Sequence, residues 1–464
     1  MRIRCCGAAG QVTGSGYLVE TGEASVLVDF GAFAGEPNED ELNRSLGFLD
    51  PARLDAVLVT HAHGDHIGRL PLLAKSGFNG PVFATDATID IGTLMLADSA
   101  RIQQADAERE NRARRSAGKS PVEPLFDLID AESLVPLARR VKLDAPTPVA
   151  NGITARWFEA GHILGSTSIE LTVRSGSTTR TIVFSGDLGP RGSPILRDPT
   201  PPTRADLLFL ESTYGDRDHP PLAQTVDRFI GILRDAIWQH HKVIIPAFAV
   251  GRTQNLLFHI AQGIREGKLP EFSIYIDSPM ASKVTEVYAR HQDLYDAESR
   301  ELARAKQWQK DLRLLRVIED VTESQALNAS RERCLIIAGS GMCEGGRVVH
   351  HLRHGLARRD VTVIIVGFMA HNTLGRRLVE KAKTVSIFGE EIPVNARIEV
   401  VNGLSAHAGR SELIEWLSKA MPSKPRVVLT HGEDMQRAAL RDGIKERYGV
   451  EARLPLIGKP IELD

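Results

Sequence analysis

Residues 54–66 read LDAVLVTHAHGDH, and they carry the strongest structural signal in the chain. The apolar run at the start of this stretch is typical of a buried β-strand. The strand ends in a turn that places three imidazoles and one carboxylate close together, at His61, His63, Asp65 and His66. Both ligand types suit Zn²⁺, and a turn can direct several of them toward one point. The stretch therefore predicts a metal site at the end of a strand.

Ligands on one loop cannot complete two metal positions, so further ligands are expected downstream. Three candidates stand beside glycine at the ends of short apolar runs: His162 in GHILGS, Asp187 in SGDLG and His431 in LTHGE. Glycine lets a backbone segment approach a metal or a neighbouring loop closely. In this order along the chain, the three residues extend the predicted site toward a pair of metal ions.

The composition is that of an ordinary globular protein. The chain has 464 residues, of which 42% are hydrophobic and 25% charged, so it can form two or three domains with apolar cores. Its formal net charge of -2 indicates no global basic field, so a polyanion would have to bind in a local cleft. Neither a signal peptide nor an apolar run of about 18 residues is recognisable. We therefore expect a cytoplasmic protein without membrane contact.

The pattern of secondary structure changes along the chain. Short strand-like runs dominate the first part, with a helical stretch from Thr88 to about Ala117 and a proline-rich connection at 191–204. From about Tyr214, helical stretches alternate with apolar runs such as Lys242 to Pro246. This alternation predicts a parallel sheet in an α/β unit. Strands and a helix return after about Thr384.

The histidine motif and the motifs downstream resemble those of the metallo-β-lactamase superfamily. The resemblance implies two zinc ions per chain, bridged by Asp187. It assigns the other ligands to the first ion (His61, His63 and His162) and to the second ion (Asp65, His66 and His431). Asp29, in VLVDFG, would orient ligands by hydrogen bonds, and the resemblance counts Asp29 and Asp65 with the catalytic residues. Manganese or iron in the same ligand set stays open.

A further series of motifs resembles the β-CASP subfamily, whose members process RNA or DNA. In chain order, the motifs are ESTYG (211–215), IPAFAVGRTQ (245–254), DSPM (277–280), GSGM (339–342), GGR (345–347), TLGRRL (373–378) and GLSAH (403–407). They are most similar to the branch that contains the endonuclease subunit of the eukaryotic cleavage and polyadenylation factor. The implied fold is a metallo-β-lactamase αββα sandwich at 1–210 and 385–464, with a parallel α/β β-CASP domain inserted at 211–384.

The resemblance also assigns roles outside the metal ligands. His407 would act as the general acid for the leaving 3′ oxygen, because imidazole titrates near neutral pH, and Glu211 would orient it. The residues expected to contact RNA phosphates are Arg252, Ser340, Thr373, Arg376 and Ser405. Single-stranded RNA is expected to reach the metal ions through a cleft between the two domains.

The predicted function is zinc-dependent, endonucleolytic hydrolysis of single-stranded RNA by a two-metal mechanism. Alternatives that stay open are a 5′-exonuclease or DNA nuclease of the same family, a hydrolase of small thioesters or lactones, and a non-catalytic RNA-binding subunit. A homodimer or a larger RNA-processing complex also stays open. The sequence departs from the family pattern at Ala34, His371, Asn372 and Gly409, which puts RNA positioning in doubt but removes no predicted ligand.

Overall fold

Three large β-sheets organise the computed structural model, which describes residues 1–176, 178–367, 369 and 372–463. The strands are β1 (Arg2–Cys5), β2 (Tyr17–Glu20), β3 (Ser25–Val28), β4 (Ala56–Leu58), β5 (Val82–Thr85), β6 (Ala138–Val141), β7 (Thr147–Ala150), β8 (Ile153–Glu159), β9 (Thr167–Ser175), β10 (Thr178–Phe184), β11 (Leu207–Glu211), β12 (Lys242–Pro246), β13 (Ser273–Asp277), β14 (Leu315–Val317), β15 (Cys334–Ala338), β16 (Val361–Ile365), β17 (Thr384–Ile387), β18 (Glu390–Pro393), β19 (Arg397–Val400), β20 (Arg426–Thr430) and β21 (Pro460–Glu462).

The helices connect these strands and cover the sheets. They are α1 (Glu39–Arg44), α2 (Gly64–Ile67), α3 (Leu70–Lys75), α4 (Asp86–Ser116), α5 (Leu128–Glu132), α6 (Leu222–Trp238), α7 (Arg252–Arg265), α8 (Pro279–Arg290), α9 (Ala297–Arg304), α10 (Gln307–Asp311), α11 (Val321–Ala329), α12 (Gly346–Gly355), α13 (Leu374–Val379), α14 (Arg410–Leu417) and α15 (Asp434–Tyr448). Among the described residues, none of these helices combines the length and apolar character that crossing a bilayer requires.

Two sheets pack face to face in the first part of the fold. Their strand orders are β21-β1-β2-β3-β4-β5-β6 and β20-β11-β10-β9-β8-β7. One core joins their inner faces, with Val26 and Leu58 from the first sheet and Trp157, Ile169 and Phe209 from the second. Alternate residues of a strand point to opposite faces, so each sheet leaves a second apolar face for helices to cover.

Helices cover both outer faces of this sandwich. On the first sheet, α4 packs against β5 and β6. On the second sheet, α14 and α15 bury Trp416 and Leu440 against the outward side chains Val183 and Leu208. Helix, sheet, sheet and helix therefore follow one another as layers, which confirms the predicted αββα architecture.

The third large sheet is parallel throughout, in the order β14-β13-β15-β12-β16-β19. Its central strands β15, β12 and β16 are almost wholly apolar and buried, as expected for the middle of a sheet covered on both faces, whereas the edge strands β14 and β19 are partly exposed. One face packs against α6 and α7, and the other packs against α12. The predicted α/β unit with a parallel sheet is thus confirmed.

The chain divides into two compact units. The first unit comprises Met1–Ser193, Arg197–Asp218 and His407–Asp464, and the second comprises Pro194–Leu196 and His219–Ala406. The sandwich lies in the first unit and the parallel sheet in the second. The domain boundaries expected from the sequence, at 210/211 and 384/385, stay a prediction.

Candidate metal centre

The predicted ligands of the first unit follow the carboxyl ends of its strands. His61 and His63 follow β4, and His162, Asp187 and His431 follow β8, β10 and β20. Neighbouring strand ends that share a direction bring residues from distant parts of the sequence to one edge of a sheet. The sandwich therefore gathers side chains that the sequence spreads over almost its whole length.

Two sets of donor atoms form at this edge, and both include Asp187. The first set is His61, His63, His162 and Asp187, and the second set is Asp65, His66, Asp187 and His431. Within each set, the donor atoms all lie within 4.8 Å of one another. The structure thus brings together all seven side chains for which the sequence predicted zinc binding.

The carboxylate of Asp187 divides its two oxygens between the sets. Its Oδ2 lies 3.5 Å from His61 Nε2 and 3.6 Å from His162 Nε2. Its Oδ1 lies 3.1 Å from His66 Nε2 and 3.4 Å from His431 Nε2. This is the arrangement that a carboxylate shared by two ions would need.

Several donor atoms make no hydrogen bond within the described part of the chain, and their chemistry suits a bound metal ion. His61 Nε2, His66 Nε2, His431 Nε2 and Asp187 Oδ1 are buried, and the short distances given above lack hydrogen-bond geometry, so none of these atoms makes a hydrogen bond among the described residues. Buried polar atoms are normally paired, because an unpaired one costs about 1–3 kcal/mol. Imidazole nitrogen and carboxylate oxygen are also the donors that divalent zinc accepts. These observations, together with the family described below, show a site for divalent metal.

Three of these side chains, His61, His63 and Asp187, carry the charges that suit metal binding. Burial and the neighbouring His66 lower the pKa of His61, and burial lowers the pKa of His63 to about 3, so both imidazoles are neutral. Burial opposes ionisation of Asp187, but its electrostatic interactions with His431 and then His66 hold its pKa well below the usual range. Neutral imidazole and ionised carboxylate are the forms that bind a metal.

Short polar contacts hold the Nδ1 atoms of three predicted ligands, His61, His66 and His431. Asp29 Oδ2 lies 2.8 Å from His66 Nδ1, and the predicted role of Asp29 in orienting a ligand stays a prediction. Asp29 also accepts hydrogen bonds from the backbone and hydroxyl of Thr60, at 2.8 and 2.7 Å. The Thr60 hydroxyl is 3.0 Å from His61 Nδ1. In the second donor set, His431 Nδ1 lies 2.9 Å from Ser15 Oγ.

The sequence interpretation missed Thr60 and Ser15. Thr60 directly precedes the histidine motif, and this position is the signal that could have found it. Ser15 gives no such signal, since 416 positions separate it from the histidine that it contacts.

Two glycines allow the ligand loops to approach one another. A Cβ at Gly31 would lie 1.6 Å from the carbonyl oxygen of Asp65, and one at Gly189 would lie 1.8 Å from the carbonyl oxygen of Gly161. Gly31 thus admits the loop that carries Asp65, and Gly189 admits the loop that carries His162. Any side chain at either position would push a ligand segment away.

His407 and Glu211 lie beside the donor sets. His407 Nδ1 is 3.2 Å from Glu211 Oε1 and 4.0 Å from Asp187 Oδ2. The Ala408 amide donates to the Leu188 carbonyl at 2.7 Å, which fixes the His407 segment next to Asp187. Burial lowers the pKa of His407, but the negative charge of Glu211 and its hydrogen bond outweigh burial and raise that pKa to about 9. The structure thus places a cationic imidazole at the edge of the metal centre.

The five predicted phosphate contacts lie in the second unit. Thr373 caps α13 by accepting a hydrogen bond from the Arg376 amide at 3.1 Å. Arg376 pairs with Glu380 at 2.6 Å, and Arg252 donates to the Val366 carbonyl. Ser340 Oγ accepts from the Glu344 amide at 3.3 Å, and Ser405 lies two positions before His407. Their contact with RNA stays a prediction.

The departures from the family pattern have simple local settings. Asn372 adopts a left-handed backbone with φ of 67°, which asparagine tolerates, and the Gly409 amide donates to Glu412 at 3.0 Å. The Ala34 amide donates to the Thr13 hydroxyl at 3.1 Å. His371 lies outside the described residues. The described departures therefore leave the donor sets intact.

Three protein-family models match this chain. Residues 9–225 match the model of the metallo-beta-lactamase superfamily, and residues 253–378 match the Beta-Casp domain. Residues 391–455 match the Zn-dependent metallo-hydrolase RNA specificity domain. The three matches cover segments of both compact units.

Curated proteins resemble this chain over nearly its full length. Ribonuclease TTHA0252 from Thermus thermophilus is 38% identical over 99% of this chain and 100% of its own length. Transcription termination factor FttA is 28% identical in Methanosarcina mazei and 29% identical in Thermococcus kodakarensis, over 98% of this chain and 70% of each relative.

A solved structure shares the fold. The crystal structure of a protein of unknown function from Enterococcus faecalis aligns with a TM-score of 0.56 at 14% identity. The alignment covers 100% of this chain and 99% of that one.

Proposed function

This chain belongs to the β-CASP branch of the metallo-β-lactamase superfamily, and we propose that it cuts single-stranded RNA internally with the help of two zinc ions. Family membership makes it a metal-dependent hydrolytic nuclease. RNA is the substrate class because a full-length relative is named a ribonuclease and one matching domain model carries RNA specificity. The internal mode of cleavage rests on the resemblance of the motifs to an endonuclease branch.

The observation that carries the proposal is the division of Asp187 between the two donor sets. His61, His63 and His162 would hold one zinc ion, and Asp65, His66 and His431 would hold the other. When bound, two divalent ions activate a water molecule and stabilise the charge that develops on a phosphodiester. The ligand set alone does not choose among phosphodiester, lactam and thioester substrates, so the RNA assignment depends on the relatives.

His407 supplies the proton that the leaving 3′ oxygen needs. Its Nδ1 contacts the Glu211 carboxylate, so its Nε2 is the ring atom that donates toward substrate. Glu211 is held in place because its Oε1 accepts from the Leu188 amide at 2.8 Å and its Oε2 accepts from the Thr213 amide at 3.2 Å. Glu211 therefore orients the imidazole, and its charge favours the protonated form.

The preference for a single strand follows from the depth of the ligands. His61, His66, His162, Asp187 and His431 are each no more than 2% exposed. A phosphodiester must come out of a regular duplex to reach such atoms, whereas a flexible single strand can bend toward them. The proposal keeps Arg252 and Arg376 as contacts to RNA phosphates through their planar guanidinium groups, together with the hydroxyls of Ser340, Thr373 and Ser405.

The test uses an internally labelled, circular, single-stranded RNA, which has no end for an exonuclease. Wild-type protein should linearise the circle, and chelator or His63→Ala should abolish the reaction. His407→Ala should lower the single-turnover rate by about 100-fold while the zinc content stays at two per chain. His240→Asn, which changes an exposed histidine outside the donor sets, is the matched control and should leave the rate unchanged.

Other outcomes would contradict specific parts of the proposal. Degradation of linear RNA without linearisation of the circle would replace the endonuclease with a 5′-exonuclease. Equal cleavage of duplex RNA would remove the preference for a single strand. Two bound zinc ions without cleavage of any RNA would leave the metal site and refute the nuclease assignment made from it.

A further inference from the structure

We propose that Ser15 is a positioning residue for the second metal ion and that its hydroxyl selectively controls occupancy of the Asp65, His66 and His431 position. This inference rests on the two-zinc centre proposed above. Ser15 is completely buried in the first unit, and it precedes β2. It belongs neither to the histidine motif nor to either donor set.

Three contacts of Ser15 converge on the segments that carry the second donor set. Its hydroxyl lies 2.9 Å from His431 Nδ1, and its amide donates to the Asp65 carbonyl at 2.9 Å. Its carbonyl accepts a hydrogen bond from the Gly31 amide at 2.8 Å. Gly31 stands two positions after Asp29, whose carboxylate contacts His66. One small residue thus ties together the loops that present Asp65, His66 and His431.

The hydroxyl also determines which nitrogen of His431 faces the metal position. His431 Nε2 is buried 3.4 Å from Asp187 Oδ1 and 3.8 Å from Asp65 Oδ2. A ring that binds metal through Nε2 keeps its proton on Nδ1, and that proton needs an acceptor. Ser15 Oγ is the acceptor at the correct distance. Without it, the Nδ1 proton would be buried and unpaired, and the ring would have less reason to hold this orientation.

The ligands do not depend equally on such partners. His66 Nδ1 faces the carboxylate of Asp29, which can stabilise a positively polarised ring, whereas His431 Nδ1 faces a neutral hydroxyl. Loss of an outer hydrogen-bond partner typically lowers metal affinity by about 10–100-fold. We therefore expect Ser15→Ala to weaken the second zinc position by about 10-fold or more and to spare the first.

The experiment is a zinc titration in metal-buffered solution, and elemental mass spectrometry gives the number of zinc ions bound per chain. At a free zinc concentration that loads two ions on the wild type, Ser15→Ala should hold about one. The matched control is Tyr17→Phe, which removes a buried hydroxyl from the same segment. That hydroxyl donates a hydrogen bond to Thr430 Oγ1 at 2.9 Å. Thr430 is the sequence neighbour of His431, and the hydrogen bond does not involve the His431 ring. Tyr17→Phe should hold two ions.

A second measurement does not depend on the folding of any variant. In the zinc-loaded wild type, nitrogen NMR of the His431 ring should show a protonated Nδ1 and a metal-bound Nε2. Metal on Nδ1 would overturn the inference, and so would two zinc ions bound with unchanged affinity by Ser15→Ala. Loss of both ions from a folded Ser15→Ala variant would likewise overturn it, because the effect would not be selective. A wild type that holds one zinc would refute the two-zinc proposal itself together with this inference.

Discussion

Replacement of Asp29 by alanine would remove one buried carboxylate that accepts three hydrogen bonds beside the second donor set. Asp29 is fully buried, and it accepts from the Thr60 amide at 2.8 Å, from the Thr60 hydroxyl at 2.7 Å and from His66 Nδ1 at 2.8 Å. Thr60 and His66 are themselves no more than 2% exposed, so water cannot replace the lost acceptor. The change therefore affects folding as well as metal binding.

The magnitude follows from the number of donors left without a partner. A buried donor that loses its acceptor costs about 1–3 kcal/mol, and three donors are involved, so we expect a loss of at least about 3 kcal/mol in unfolding free energy. The loss of these hydrogen bonds is accompanied by an electrostatic destabilisation of His66. Burial lowers the pKa of His66, but Asp187 and Asp29 outweigh burial and raise it well above the usual range. In the metal-free protein, removal of Asp29 therefore leaves a buried cation with one counter-charge fewer.

The assay is urea unfolding of the metal-free protein, followed by circular dichroism and intrinsic fluorescence. Asp55→Ala is the matched control, because Asp55 is an exposed carboxylate that accepts a single hydrogen bond from the Ser25 amide at 2.7 Å. The control should lose less than about 1 kcal/mol. If Asp29→Ala unfolded within about 1 kcal/mol of the wild type, the three hydrogen bonds would not stabilise the fold as argued.

Two other predictions concern packing and thiol chemistry in the same chain. Gly31→Ala should lower the unfolding free energy by about 1–3 kcal/mol or more, because its Cβ would collide with the Asp65 carbonyl. The loss should appear as a lower thermal midpoint. The control Gly64→Ala, whose Cβ has no neighbour within 4 Å, should not lower the midpoint comparably. Burial raises the pKa of Cys5, Cys6 and Cys343 to about 12 and that of Cys334 to about 11, so all four thiols stay protonated at pH 8. Iodoacetamide should therefore label the native protein slowly and all four cysteines of the urea-unfolded chain readily, and fast labelling of the native protein would contradict this reasoning.

Local patterns suffice for those parts of the fold in which one period dominates. The run Lys242–Pro246 is a buried strand with the predicted bounds, because every residue after Lys242 is apolar and the segment that follows contains glycine. The stretch from Thr88 lies in the long helix α4, which starts where the Thr85 side chain accepts from the Thr88 amide. In these segments, propensity and tertiary packing favour the same structure.

The metal centre was predictable for a different reason. A cluster of imidazole and carboxylate has few structural uses at the end of a strand, so the histidine motif identifies a metal site almost by itself. The predicted distant ligands His162, Asp187 and His431 could be brought into the same cluster because each follows a strand, and strand ends of the sandwich meet at one edge. Resemblance supplied the pairing of these ligands with particular ions, which spacing alone does not give.

Long-range pairing is the part that local patterns do not encode. Strand β19 joins the second unit by pairing with β16, and the residues between them give no sign of which neighbour it will choose. Ser15 meets His431 for a similar reason, since β2 and β20 belong to different sheets of the sandwich. Such contacts depend on the completed fold and not on any period in the sequence.

The outer partners of the ligands show where this centre can be tuned. A negatively charged partner such as Asp29 makes the His66 ring a stronger potential metal ligand and also holds its orientation. The neutral hydroxyls of Thr60 and Ser15 mainly hold the orientation of the rings that they contact. His66 carries the charged partner, and His431, which shares its donor set, carries a neutral one. In the proposed two-zinc centre, a substitution at Ser15 would therefore weaken the second position without removing a charge from the core, whereas a substitution at Asp29 would remove one.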